Sequence, residues 1–371
     1  MAEPLKNFYG PGIPQRIGTM IGKVHPTFRA KDFVAHALDG YEELELLPRG
    51  RKIALSLKEF LPADYEEAVD ILLASLGPRP SRRSGDGGIA PFIYLPHTHF
   101  VASYGLEHFE LSMRAQHRLT QVFTCEFSIR PFLEQHTEAT LERLHEWTKD
   151  PDEHVRRLVS EGTRSRLPWA SRLRDFQQDP TPVLALLEKL KDDPALYVRR
   201  SVANNLNDIG KDHPGVLVKT AGRWMKSASE QRQWVVRHAL RSAIKRSDPD
   251  ALAVMGFGKA AQVDIMKSSI TPGTVREGDK VRVSVDLHNP TKTGQNLLAD
   301  LCVHYVKANG STAPKVFKMT TLSLAPGETQ TISKLISLLR MTTRRHYPGK
   351  HSVQLLINGK PHTLGHFVLK I

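Results

Sequence analysis

The stretch Asp150-Pro151-Asp152-Glu153-His154-Val155-Arg156-Arg157-Leu158-Val159 returns in altered form as Asp193-Pro194-Ala195-Leu196-Tyr197-Val198-Arg199-Arg200-Ser201-Val202. The Val-Arg-Arg triplet recurs 43 positions on, from 155 to 198, and a looser copy, Val236-Arg237-His238, follows after another 38. Asp offers an N-cap oxygen and Pro suits the first helical position. Asp150-Pro151, Asp179-Pro180, Asp193-Pro194 and Asp248-Pro249 therefore read as helix starts between Leu106 and Phe257. Helix pairs with a period of roughly 40–47 residues match HEAT-like solenoids, which stack into a long concave surface.

Outward from this core, Ile53, Leu55, Leu57, Phe60 and Leu61, then Ala68, Ile71, Leu72 and Leu76, give two helical apolar faces separated at Pro62. The stretch from Gly77 to Gly88, dense in Gly, Pro, Ser and Arg, reads as a mobile loop. After Gly258 the period changes to two. Val281, Val283, Val285 and Leu287 alternate with Arg282, Ser284 and Asp286, and Leu301, Val303 and Tyr305, then Val353, Leu355 and Ile357, continue the period of two. Asn358-Gly359 is a hairpin signal, and Pro272-Gly273, Pro326-Gly327 and Pro348-Gly349 mark further turns. The expected architecture is multidomain: an all-α HEAT-like repeat solenoid over 1–258, then an all-β immunoglobulin-like sandwich over 259–371. The Cys…Trp…Cys signature of antibody domains is absent, so this reading concerns architecture only.

The chain has 371 residues, too many for one compact core, and 40% hydrophobic with 25% charged residues is ordinary globular composition. General disorder and a membrane protein are excluded on that basis. No apolar run is long enough to cross a bilayer, and residues 1–19, with Pro4, Pro11 and Pro14, lack a signal-peptide core, so a cytoplasmic protein is expected. Cys125 and Cys302 fall in different expected domains and read as buried free thiols. Lys and Arg total 52 against 39 Asp and Glu, a net charge of +13, which favours an anionic partner such as nucleic acid.

With Val155 and Val198 facing the core, positions two further on point to another face. That stripe carries Arg157 and Glu161; Arg200, Asn204 and Asp208; and His238, Ser242 and Arg246. Arg156, Arg164, Arg166, Arg199, Arg237, Arg241 and Lys245 flank it. Such a band suits phosphates. Glu161 and Asp208 are out of place on a phosphate-binding face. They are either intrahelical ion-pair partners or carboxylates that stabilise an oxocarbenium-like sugar and position water. Trp169 is either a packing residue or a surface aromatic for a cationic base.

Three segments resemble motifs of the AlkC family of bacterial DNA glycosylases: Thr124-Cys125-Glu126-Phe127-Ser128-Ile129-Arg130-Pro131-Phe132; Ser160-Glu161-Gly162-Thr163-Arg164 with Leu167-Pro168-Trp169; and residues 198–208, VRRSVANNLND. The resemblance spans the helical part, and some members carry a β-sandwich tail. It implies excision of cationic alkylated bases, notably 3-methyladenine and 3-methylcytosine, from duplex DNA without a conventional base-flipping pocket. By motif position Glu126, Glu161 and Asp208 are the acids around the lesion, and Trp169 the aromatic contact. Glu161 and Asp208 are expected to stabilise the sugar cation and position water, and Glu126 is a further catalytic candidate that either joins them or only orients its neighbours.

In the tail, Arg344, Arg345, His346 and Tyr347, with Lys350 and His351 beyond, form a basic turn that is either an ordinary surface loop or a second DNA contact. His97 and His99 lack a third ligand at useful spacing, and neither a Walker A loop nor a dinucleotide fingerprint is present. No metal or cofactor is expected, and no lysine is marked as a Schiff-base nucleophile, so the reading is a monofunctional glycosylase. Double-stranded DNA is the expected partner, with no membrane and no obligate protein partner, and a monomer is expected. Two rivals remain: a scaffold whose basic groove holds an acidic peptide, for which the acids beside Trp169 have no use, and a non-catalytic HEAT-repeat DNA-binding protein.

Overall fold

The computed structural model describes residues 4–79, 90–257, 261–340 and 345–370. The chain divides into two compact units, Met1–His213 and Pro214–Ile371. The change from helix to strand comes later, between Val254 and Asp264, so compactness and element type divide the chain at different points. Most of the Gly77–Gly88 stretch lies outside the described residues.

The first unit is helical: α1 (Gly12–Val24), α2 (Ala30–Leu38), α3 (Leu46–Phe60), α4 (Tyr65–Ala74), α5 (Leu95–Tyr104), α6 (Phe109–Thr120), α7 (Arg130–Gln135), α8 (Thr137–Trp147), α9 (Glu153–Gly162), α10 (Arg174–Gln178), α11 (Thr181–Leu190) and α12 (Leu196–Asp212). The repeat lies in α8/α9 and α11/α12. Helices α9 and α12 pack together, and α11 packs on both. Val155, Leu158 and Val159 of α9 and Val198, Val202 and Leu206 of α12 are buried at the spacing of one helix face. The Asp-Pro pairs do less uniform work than expected. Only Asp248 is itself an N-cap, accepting from the Ala251 N–H with Pro249 just inside the helix. Asp150, Asp179 and Asp193 instead accept from N–H groups two residues on, in Asx turns that lead into the helix. His97 and His99 lie in a helix, α5. Pro96 sits in the first turn of α5, where its fixed φ is helical. Burial pushes both histidines down to about 4, aided at His99 by Arg51, and no cluster of three metal-ligating side chains occurs among the described residues.

The second unit begins with α13 (Pro214–Met225), α14 (Glu230–Lys245) and α15 (Pro249–Val254). Strands β1 (Asp264–Thr271), β2 (Thr274–Arg276), β3 (Lys280–His288), β4 (Gln295–Val306), β5 (Thr312–Leu324), β6 (Thr329–Ser337), β7 (Gly349–Ile357) and β8 (Lys360–Lys370) follow. They form a three-stranded sheet, β1-β3-β6, and a five-stranded sheet, β2-β8-β7-β4-β5. All described pairings are antiparallel except β2 with β8. Alternate residues Val281, Val283, Val285 and Leu287 meet Leu301, Val303, Val353, Leu355 and Phe367 in the sandwich core. Asn358 and Gly359 both have positive φ, the geometry of a tight hairpin between β7 and β8. Strand β4 departs from simple alternation. Leu298, Asp300 and Cys302, which point away from the core, are buried as well. Both cysteines are buried free thiols, and burial pushes the Cys125 thiol up to about 11.

Candidate active site

A helix face advances by about 100° per residue, so a stripe taken in steps of four drifts by about 40° per step. Arg200, Asn204 and Asp208 therefore do not share one outward band. Arg200 is exposed, Asn204 half-buried, and Asp208 is 1% exposed. Buried instead is a second face of α12, formed by Ser201, Asn205 and Asp208, turned toward the end of α9. Asn205 Nδ2 donates to the Ser160 carbonyl at 2.8 Å and to Thr163 Oγ1 at 3.1 Å. Gly162 ends α9 with no side chain because a Cβ would stand 2.6 Å from Ile129 Cγ2. The glycine lets α9 approach the segment that carries Glu126.

Through this junction runs a chain of alternating charges. Glu126 accepts from Arg157 and, at 2.9 Å, from the Thr124 hydroxyl. Arg157 also reaches Glu161, at 3.4 Å, and its guanidinium lies 5.2 Å from the centre of the Tyr197 ring. Arg164 donates to Glu161 Oε1 at 2.7 Å and to Asp208 Oδ2 at 2.8 Å. Lys211 closes the series on Asp208 Oδ1 at 2.7 Å. Ser201 donates to Glu161 Oε2 at 2.6 Å. Burial alone would raise the Glu161 pKa, but Arg157 and Arg164, with the Ser201 hydrogen bond, outweigh it and hold the carboxyl below its ordinary value. The buried Glu161 is thus kept as an anion.

Beside the chain opens a cleft of about 410 Å³, lined by Glu126, Glu161, Arg157, Tyr197, Phe123 and Trp169 among others. Asp208 is not among its lining residues; it stands behind Arg164. Trp169 is 62% exposed and sits on the rim with φ of 67°, a conformation unfavourable to a bulky side chain. Its loop is tied from beneath by Arg130. That guanidinium is buried and donates to the carbonyls of Gly162 at 3.0 Å, Arg164 at 2.9 Å and Ser171 at 2.6 Å. Trp169→Gly should leave the melting temperature unchanged or higher, because it relieves a left-handed residue worth about 1–2 kcal/mol, while weakening whatever the rim holds. A melting temperature several degrees lower would show instead that the ring packs on the fold.

The other sequence-selected residues fall in several places. Arg166 pairs with both oxygens of Asp212. Arg199 is buried and donates to the carbonyls of Asp193 and Pro194, so it is an internal brace and not a surface cation. Arg156 likewise binds Asp193. In the second unit His238 stacks on Trp234, ring centres 5.0 Å apart, while Arg237, Arg241 and Lys245 line a separate cleft. In the tail turn, Arg344 lies outside the described residues. Arg345 is exposed and its guanidinium lies 5.7 Å from the Tyr347 ring centre. His346 is buried against Tyr305, which removes it from the surface where a DNA contact was expected. Tyr347 is half-buried.

Ser201, Tyr197, Lys211 and Arg130 were missed as site residues. Signals existed for three of them: Arg130 and Ser201 lie within the quoted motif segments 124–132 and 198–208, and Tyr197 directly precedes the repeated Val-Arg-Arg triplet, at the place of His154 in the first copy.

A family described as "DNA alkylation repair enzyme" matches residues 121–246, which contain the whole charge chain. The described C-terminal Ig-like domain of the uncharacterised protein YhaZ matches residues 264–371. The uncharacterised protein YhaZ of Bacillus subtilis (strain 168) is 36% identical over 357 residues, covering 96% of each chain. The Pseudomonas fluorescens alkylpurine DNA glycosylase AlkC, solved bound to DNA containing an abasic site analog, superposes with a TM-score of 0.91. It is 38% identical, with 100% of both chains covered. The chain belongs to the AlkC family. The fold is thus the AlkC fold, a helical region followed by an Ig-like sandwich, and the family connects it to repair of alkylated DNA. The helices of this AlkC-family chain include none long and apolar enough to cross a membrane, among the described residues.

Proposed function

We propose that this protein is a DNA glycosylase that hydrolyses the N-glycosidic bond of cationic alkylated bases, 3-methyladenine and 3-methylcytosine, in duplex DNA. The supporting observation is the buried Glu161 carboxylate, held ionised by two arginines at the wall of a cleft rimmed by an exposed tryptophan. The C1′–N bond breaks with its electron pair leaving on the base, which departs neutral because it began as a cation. The sugar carries the positive charge, and Glu161 stabilises it electrostatically. Water adds to C1′ and gives a proton to a carboxylate, leaving an abasic site. Asp208 acts through Arg164, which it shares with Glu161, and Glu126 fixes Arg157. Trp169 supplies a ring face for the cationic base. Arg200 and Arg345, both exposed, remain candidates for phosphate contacts. The reading places the protein on DNA as a monomer, without strand cleavage.

The test is base release from methylated duplex DNA, followed by trapping with borohydride. Release of 3-methyladenine or 3-methylcytosine with no covalent protein–DNA adduct is expected. Tight duplex binding with no release would favour the non-catalytic alternative, and a trapped adduct would overturn the monofunctional reading. The pH profile has a defined sign. Because the Glu161 pKa is lowered by folding, its contribution to stability is complete above the ordinary glutamate range and is lost as pH falls through the lowered value. The acid limb of base release should therefore lie below the ordinary glutamate range, and a limb above it would exclude Glu161 as the group controlling the rate.

A further inference from the structure

The second unit holds a larger cleft, about 630 Å³, between α14, the segment after α15, and strands β4 and β5. Its size and make-up are those of a small-molecule site, an apolar hollow with a few polar groups. Ile244, Met255, Phe257, Leu298, Val316 and Met319 form the apolar walls. Arg237, Arg241 and Lys245 come from successive turns of α14, four residues apart, and Lys318 comes from β5. Among these cations lies one acid. Asp300 of β4 is 7% exposed, and its Oδ1 has no hydrogen-bond partner among the described residues. Burial pushes its carboxyl upward, against the Met319 backbone N–H and the charges of Lys318 and Lys245. A buried acceptor left unmatched costs free energy until a donor reaches it.

We propose that this cleft binds a purine nucleoside monophosphate. The ring enters between Phe257 and the methionines, the phosphate lies against the α14 cations, and the Asp300 side chain, whose Oδ1 is closed to solvent before the ligand arrives, turns to accept from an N–H edge. A fatty acid or other apolar acid meets the cations but gives Asp300 nothing. A bare phosphate leaves both the apolar walls and Asp300 unmatched. Guanine, with two adjacent N–H groups on one edge, suits a carboxylate better than adenine does.

The inference does not depend on the reaction at Glu161, and it is tested separately by titrating the full-length protein calorimetrically with GMP, AMP and inorganic phosphate. GMP should bind once per chain with a submillimolar Kd, more tightly than AMP, and inorganic phosphate should not displace it. Asp300→Asn should weaken GMP at least tenfold and reduce its advantage over AMP. Met319→Trp, which fills the cleft and leaves Asp300 in place, should abolish binding. Circular dichroism melting would establish that both variants are folded. Absence of GMP binding at millimolar concentration, equal affinity for inorganic phosphate, or binding unchanged in both folded variants would overturn the assignment.

Discussion

Glu161→Gln should lower the rate of base release by about 10²–10³-fold, the usual cost of removing one preorganised electrostatic group from a reaction centre, while duplex binding changes little. The substitution keeps size and shape and removes only the charge. The fold should tolerate it because each arginine has a second carboxylate: Arg157 keeps Glu126 and Arg164 keeps Asp208. A buried arginine stripped of its sole partner would cost about 3–5 kcal/mol, and neither arginine is in that position. Single-turnover release from methylated duplex, read beside a binding titration, separates chemistry from affinity. Release at the wild-type rate would demote Glu161 to an ion-pair partner.

Arg130→Met should destabilise the first unit by about 3–5 kcal/mol, since charged hydrogen bonds contribute roughly 1.5–3 kcal/mol each and two of the orphaned carbonyls lie in buried residues. For a unit of this size the melting temperature should fall by roughly 10 °C. Methionine fills much of the volume, so the loss reports the guanidinium and not a cavity. Hydrogen exchange should locate the effect. Amides between 163 and 172 should lose protection first, because Arg130 is what ties that loop to the end of α9. Unchanged protection there would mean the loop is held by its own packing. Wild-type release by a folded Arg130→Met protein would show that the rim geometry does not matter to the reaction.

The fold was legible because its signals are periodic. The 43-residue echo and the switch from helical spacing to strict alternation at Val281 each reflect a buried face, and buried faces leave a regular trace in sequence. The local motifs were legible too: Glu126, Glu161 and Trp169 do line one cleft. The depth of each side chain was not. Arg199 and Arg200 are neighbours with the same side chain, yet one braces a turn from within and the other faces solvent. Asp208 reads as a surface acid only when a four-residue step is followed further than the helix allows. The grip of Arg130 on the Trp169 loop had no sequence trace, since it acts on main-chain oxygens, which every residue carries. The second cleft was hidden for a related reason. Alternation along β4 suggested one wet face, and only the assembled unit shows Leu298, Asp300 and Cys302 covered.

The six linked charges, Glu126, Arg157, Glu161, Arg164, Asp208 and Lys211, contain three of each sign. If the protein excises cationic bases as proposed, that cancellation would act as a filter. An ordinary base is neutral and gains almost nothing by pausing at a balanced array. A lesion that brings its own positive charge is the one visitor that upsets the balance, and it is held where the nearest acid can answer it. On that reading discrimination would rest on an electrical difference between damaged and intact DNA and not on a mould of the base.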